Sequence, residues 1–178
     1  MHDGSLLVLE QDGPQSRTKI AAFDFDGCLA ATAMGLDPKA WRMQYKHVPD
    51  VLRSLHDQQY KIVIITNESM ARLKKTDAIE KTILKKTGRL EGFLAQVRVP
   101  AQVFCATAKD DYRKPEPGTW RVLLERNGGI EPDLKASFYV GDAAGRKGDF
   151  SDSDKKFAEA VGLPFYDEKE FFEVKHKP

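Results

Sequence analysis

Four short apolar runs, separated by stretches of helical spacing, limit most what this chain can fold into. Ile20-Ala21-Ala22-Phe23 leads straight into Asp24, and Tyr60-Lys61-Ile62-Val63-Ile64-Ile65 into Thr66-Asn67. Ala136-Ser137-Phe138-Tyr139-Val140 leads into Gly141-Asp142, and Gln102-Val103-Phe104-Cys105-Ala106 is the fourth. Their length and flanks read as buried strands. Between them, Val48 to Gln58 carries Val51, Leu52 and Leu55 at helical spacing, with Pro49 near the start. Ile79, Ile83, Leu90, Phe93, Leu94 and Val97 fall on one stripe of a longer helix, despite Gly88 and Gly92. Gly118 to Asn127 reads as a helix stopped by Gly128-Gly129. Ser153 to Val161 is another, followed by a short fifth strand at Leu163-Pro164-Phe165.

Strands alternating with helices predict an α/β fold, a parallel sheet with flanking helices. Ligands of such sheets lie beyond the carboxyl ends of the strands. Asp24, Asp26, Thr66 and Asp142 all fall there, so four separated motifs are expected to meet in one site. Residues 1–17 read as an N-terminal extension whose Leu6, Leu7 and Val8 dock on the domain, and residues 18–178 as one domain.

A net charge of +1 makes no global field that demands nucleic acid or a membrane. No stretch approaches the roughly 18 apolar residues of a membrane span, and the first residues hold too short an apolar run for a signal peptide. Cys28 and Cys105 form no CxxC pair, which argues against structural zinc and fits a reducing compartment. An intracellular, soluble protein is expected.

Asp24 and Asp26 are two apart, so on an extended strand end they point the same way. Paired carboxylates repel unless a cation joins them or one takes a proton. With Asp142 arriving from another strand, they make a hard oxygen cluster suited to Mg²⁺. A lone DxD pair can equally be a turn or helix cap, but the preceding strand, Gly27 and the matching Gly141-Asp142 favour a site. Thr66 offers a hydroxyl and backbone N–H groups to phosphate oxygens, or else a simple turn. Lys114, before Pro115, can reach into the carboxylates and offset their charge, or else stand solvated.

The order Asp24-x-Asp26-Gly27, Thr66, Lys114-Pro115, Gly141-Asp142 resembles the haloacid dehalogenase (HAD) phosphatases. The closer resemblance is to the phosphatase domain of the polynucleotide kinase/3′-phosphatase family. It is carried by Trp41-Arg42-x-x-Tyr45-x-x-Val48-Pro49, Tyr112-Arg113-Lys114-Pro115, Gly141-Asp142-Ala143-Ala144-Gly145-Arg146 and Asp149-Phe150-Ser151-x-x-Asp154, and spans roughly residues 19–173. The resemblance implies a HAD-like sheet with a minimal cap. It also implies that Asp24 is the nucleophile and forms an aspartyl-phosphate, and that Asp26 is the general acid and base. Mg²⁺ would be held by Asp24, the Asp26 carbonyl and Asp142, with Asp149 supporting it, while Thr66 and Lys114 grip the phosphate. Asp154 is a further candidate that could equally cap a helix. Cys28 replaces the usual Thr or Ser after DxDG.

For the substrate, residues 70–89 hold Arg72, Lys74, Lys75, Lys81, Lys85, Lys86 and Arg89 against Asp77 and Glu80. A local basic face beside such a site fits a nucleic-acid backbone. Asn67, Arg72 and Lys74 are expected at the substrate, while Lys81, Lys85 and Lys86 fit a solvated helix face as well. Trp41 and Tyr45 could stack on a base but read better as core. The expected partners are DNA 3′-phosphate ends and, by resemblance, other repair proteins in the nucleus or another DNA-containing compartment. No GxxxxGK[ST] loop occurs, so a kinase half is not expected. Two alternatives stay open: a phosphatase for a small metabolite, and a non-catalytic module that binds DNA ends.

Overall fold

The computed structural model describes residues 1–70 and 75–177. Six strands form one sheet in the order β1-β6-β5-β2-β7-β8. These are β1 (Leu6–Gln11), β2 (Lys19–Phe23), β5 (Tyr60–Asn67), β6 (Ala101–Ala106), β7 (Phe138–Gly141) and β8 (Phe165–Asp167). All neighbours are parallel except β1 and β6. The helices are α1 (Val48–Asp57), α2 (Thr76–Val97), α3 (Gly118–Glu125) and α4 (Ser153–Val161). Both faces of the sheet are covered, which is why the strands read as unbroken apolar runs. Along β2 the alternation divides two cores. Ala21 and Phe23 join the core with Leu52, Leu90 and Phe93 of α1 and α2, while Ile20 and Ala22 join Leu123 and Phe157 of α3 and α4. No described helix is long and apolar enough to cross a membrane.

Three differences from the sequence reading bear on the site. First, residues 1–17 do more than dock. Their β1 pairs antiparallel with β6 from Leu6↔Ala106 to Gln11↔Ala101 and covers what would be an open edge. Second, a hairpin escaped notice: β3 (Ala30–Thr32) and β4 (Trp41–Met43), each only three residues long. It forms the small flap between Asp26 and α1. Trp41 and Tyr45 pack on the core, against Phe93 and Phe172 respectively. Third, α2 does not bury one apolar stripe. Its second half buries Leu90, Phe93, Leu94 and Val97, but further up the same face it buries Thr82, Lys86 and Arg89. Gly88 lies where the flap crosses this helix, and a Cβ there would come within 2.6 Å of Pro38. The fifth strand lies slightly later than expected, at Phe165–Asp167. A π-helical segment, Glu170–Lys175, then buries Phe171 and Phe172 against Phe23.

Candidate active site

β2 lies between β5 and β7, so the residues at its carboxyl end are flanked by Thr66 on one side and Asp142 on the other. A pocket of about 400 Å³ opens there, lined among others by Asp24, Asp26, Thr66, Lys114, Asp142 and Asp154. Asp24 is 7% exposed. The buried Lys114 spends its three N–H groups on Asp24 Oδ1 at 2.7 Å, Asp154 Oδ1 at 2.7 Å and the Tyr139 hydroxyl at 2.8 Å. That hydroxyl lies 3.0 Å from the Ile65 carbonyl oxygen. The lysine therefore reaches the carboxylates as expected, held by a tyrosine and an aspartate that the motif reading had left out or open.

Asp24, Asp142 and Asp154 each offer an oxygen within 4.8 Å of the others. Burial, with the charges of Asp154 and Asp26 and against that of Lys114, raises the Asp24 carboxyl to about 6. Burial, together with Asp24 and Asp154, raises Asp142 to about 8. Asp142 Oδ1 is buried without a hydrogen-bond partner. An unpartnered carboxylate oxygen beside a second carboxylate is the donor chemistry that a hard divalent cation satisfies. Asp154 is less available, since its oxygens already accept from Lys114 and from the Ala143 N–H at 3.0 Å. It does not cap α4, whose N-cap position is Asp152. Gly27 has φ +85°, and a Cβ on it would collide with the Asp142 carboxylate. The glycine of the first motif therefore gives Asp142 its place.

Asp26 has different company. Its Oδ1 accepts from the Thr32 hydroxyl of β3 at 2.8 Å, and its Oδ2 accepts from Lys86 of α2. Burial pushes this carboxyl up, but the Lys86 charge and hydrogen bond and the Thr32 hydrogen bond outweigh it, and the net shift is downward. Lys86, 1% exposed, also donates to Thr66 Oγ1 at 3.0 Å.

A family model described as polynucleotide kinase 3 phosphatase matches residues 19–172. The chain belongs to that family. It is 47% identical to the polynucleotide 3′-phosphatase ZDP of Arabidopsis thaliana, over 94% of this chain and 26% of that protein. The chain thus spans about a quarter of that relative's length. It is 33% identical to an uncharacterised 20.8 kDa protein of Autographa californica nuclear polyhedrosis virus, over 98% of this chain and 91% of the viral protein. Among solved structures, a Mesorhizobium loti protein assigned as a HAD-like phosphatase aligns with a TM-score of 0.68 at 16% identity, covering 92% of this chain and 78% of that one. That likeness is one of fold, and it makes the architecture of this polynucleotide kinase 3 phosphatase member HAD-like.

Within this family member, the structure brings Asp24, Asp26, Thr66, Lys114 and Asp142 to one pocket. Asn67 lines the pocket too, but its amide is turned to Lys114. It donates to the Lys114 carbonyl and accepts from the Lys114 N–H, both at 3.1 Å, so it steadies the lysine's backbone. Asp149 stands outside the group of three acids. It accepts from Ala144 N–H, Arg146 N–H and the Arg146 guanidinium, and so holds the loop that follows Asp142. Cys28 is fully buried with its thiol pushed up by burial, and its Sγ donates to the Val140 carbonyl. Arg72 and Lys74 lie outside the described residues.

Part of the basic segment turns inward, while Lys75 and Lys81 stay exposed. Lys85 binds Glu68 at 3.1 Å, Lys86 binds Asp26, and Arg89 donates to the carbonyls of Ala33 and Asp37. Charge counting along a helix does not say which side is buried. Sequence reasoning also missed Phe150, which is 82% exposed and lines the pocket with Arg113. Its place in the Asp149-Phe150-Ser151 segment was the available signal.

Proposed function

We propose that this chain is a magnesium-dependent polynucleotide 3′-phosphatase that clears phosphate from the 3′ ends of broken DNA by way of an aspartyl-phosphate on Asp24. The observation that carries the reading is the Lys114 ammonium, 2.7 Å from Asp24 and from Asp154 at the carboxyl end of the central strand. It keeps a nucleophilic carboxylate buried and ionisable, and its charge at the pocket would offset that of a bound phosphate. Asp24 and Asp142, with the Asp26 carbonyl, would hold Mg²⁺, which when bound supplies neutralising charge to the phosphate. Asp24 attacks phosphorus, Asp26 protonates the leaving oxygen and later deprotonates the hydrolytic water, and the Thr66 hydroxyl faces the phosphate oxygens.

The Arabidopsis relative's designation as a polynucleotide 3′-phosphatase supports a nucleic-acid end as substrate. So do Phe150 and Arg113 at the pocket's edge, a stacking surface beside a phosphate-binding cation. A DNA-containing compartment follows from that substrate. The deciding assay compares a 3′-phosphorylated oligonucleotide with sugar and amino-acid phosphates, with and without Mg²⁺. Preference for the small molecules would overturn the substrate. The metabolite reading stays in play because Lys85, Lys86 and Arg89 face inward and leave less free positive charge for a polymer. Salt separates the two readings, since a DNA enzyme loses affinity steeply as ionic strength rises.

A further inference from the structure

Lys86 is a buried lysine that the usual motifs do not account for. Burying it means desolvating an ammonium and ordering a long, rotamer-rich side chain, so something must offset that cost. The offset is local. Nζ bonds Asp26 Oδ2 and Thr66 Oγ1, with Glu68 Oε2 further off at 4.0 Å. Lys86 itself does not line the pocket; Asp26 and Thr66 do. Any effect on substrate therefore passes through those two. One turn further along α2, Arg89 donates to the Ala33 and Asp37 carbonyls at 3.0 Å and holds the flap. That flap carries Thr32, which holds the other oxygen of Asp26. Both handles on Asp26 thus trace back to α2.

We propose that Lys86 is a positioning residue that aims the Asp26 carboxyl and the Thr66 hydroxyl into the pocket for both proton transfers. The role rests on the two-step reaction given above. In the first step the Asp24 oxygen–phosphorus bond forms, the phosphorus–O3′ bond breaks, and a proton that Asp26 has taken from solvent ends on O3′. In the second, a water oxygen bonds to phosphorus and the Asp24 oxygen–phosphorus bond breaks, while the water's proton returns to Asp26.

Dependence on the leaving group separates positioning from a merely structural role, because p-nitrophenolate departs without proton assistance and a nucleoside 3′ oxygen does not. Single-turnover rates of wild type and Lys86→Met are measured with Mg²⁺ on a 3′-phosphorylated oligonucleotide and on p-nitrophenyl phosphate. The oligonucleotide rate is expected to fall about 100-fold and the p-nitrophenyl phosphate rate less than about tenfold, with KM for the oligonucleotide within about threefold. Lys86→Arg, which keeps the charge, recovers most of the rate. Equal losses on both substrates, or an unchanged oligonucleotide rate, overturn the proposal. A thermal melt by circular dichroism checks folding. Should Lys86→Met not fold, the pair Asp26→Asn and Asp26→Asn/Lys86→Met removes the unpaired carboxylate. A ratio of oligonucleotide to p-nitrophenyl phosphate rates that is the same in Asp26→Asn and the double variant supports positioning, and a further fall in that ratio overturns it. Should wild type spare the oligonucleotide, the DNA reading fails by itself, and the Lys86 comparison runs unchanged on whichever alkyl phosphate is hydrolysed.

Discussion

Asp24 and Asp26 stand two residues apart on one strand end, yet they occupy opposite environments. Asp24 is buried among acids, Asp142 and Asp154, with Lys114 as the opposing charge, and its carboxyl is held high. Asp26 is half-buried, gripped by Lys86 and Thr32, and its carboxyl is held low. Each has its own buried lysine, and the two lysines come from different parts of the chain: Lys114 from the loop before α3, Lys86 from α2. Neighbouring carboxylates can thus be given separate tasks by what packs behind them rather than by their own spacing.

The sharpest way to break this division is to neutralise each acid in turn. Asp24→Asn should lower kcat about 10⁴-fold or more on any phosphate ester, with no phosphoenzyme seen by intact mass after quenching. Asp26→Asn should lose about 10²- to 10⁴-fold on the oligonucleotide and much less on p-nitrophenyl phosphate. Losses that match across both substrates would show that the two acids do not divide the work.

Stability gives the next contrast. Lys114→Met strands two buried carboxylates and should cost about 3–5 kcal/mol in urea denaturation. Lys86→Met strands one carboxylate whose side chain is 38% exposed, and water can solvate it. Its cost should be nearer the 1–3 kcal/mol of a lost charged hydrogen bond. Equal costs would mean that Asp26 is as sequestered as Asp24.

The smallest effects are in the response to pH and metal. Asp24 and Asp142 have folded-state values raised above 3.8, so the metal-free fold binds more protons than the unfolded chain. Stability from this side is therefore full at low pH and is lost as pH rises toward about 8. Asp26 is depressed, so its contribution has the opposite sign: present above 3.8 and lost on acidification. On the proposed reading, Mg²⁺ would bind the deprotonated pair. Its rise in Tm should be slight near pH 5.5 and grow to about 3–5 °C near pH 8.5 at tenfold excess over Kd. Asp142→Asn should abolish that rise, while Asp26→Asn should leave most of it, because on that reading Asp26 would lend the metal only a carbonyl. A shift that does not grow with pH would count against Asp142 as a ligand. Gly27→Ala should reduce the same shift by displacing the Asp142 carboxylate.

Asp24, Thr66 and Asp142 were legible because each follows an apolar run directly or after one glycine, and a buried parallel strand announces itself by composition alone. Pro115 and its neighbours marked Lys114. The β3–β4 hairpin was not legible, because three-residue strands give no period to read. Lys86 was hidden for another reason. In Lys85-Lys86-Thr87-Gly88-Arg89 the composition is that of a solvated surface, and the apolar stripe that would orient the helix begins only at Leu90. Tyr139 sat inside a strand and looked like core. Only the fold shows its hydroxyl at the lysine.

By itself the sequence determined five of the six sheet strands, their order along the chain and the four polar residues at their ends, since local hydrophobic period and strand punctuation are short-range properties. Tertiary structure alone decided which lysine belongs to which acid, and therefore which carboxyl is raised and which is lowered. Those shifts depend on burial and on charges brought within a few ångströms from 60 and 90 residues away along the chain. No window along the chain encodes such distances.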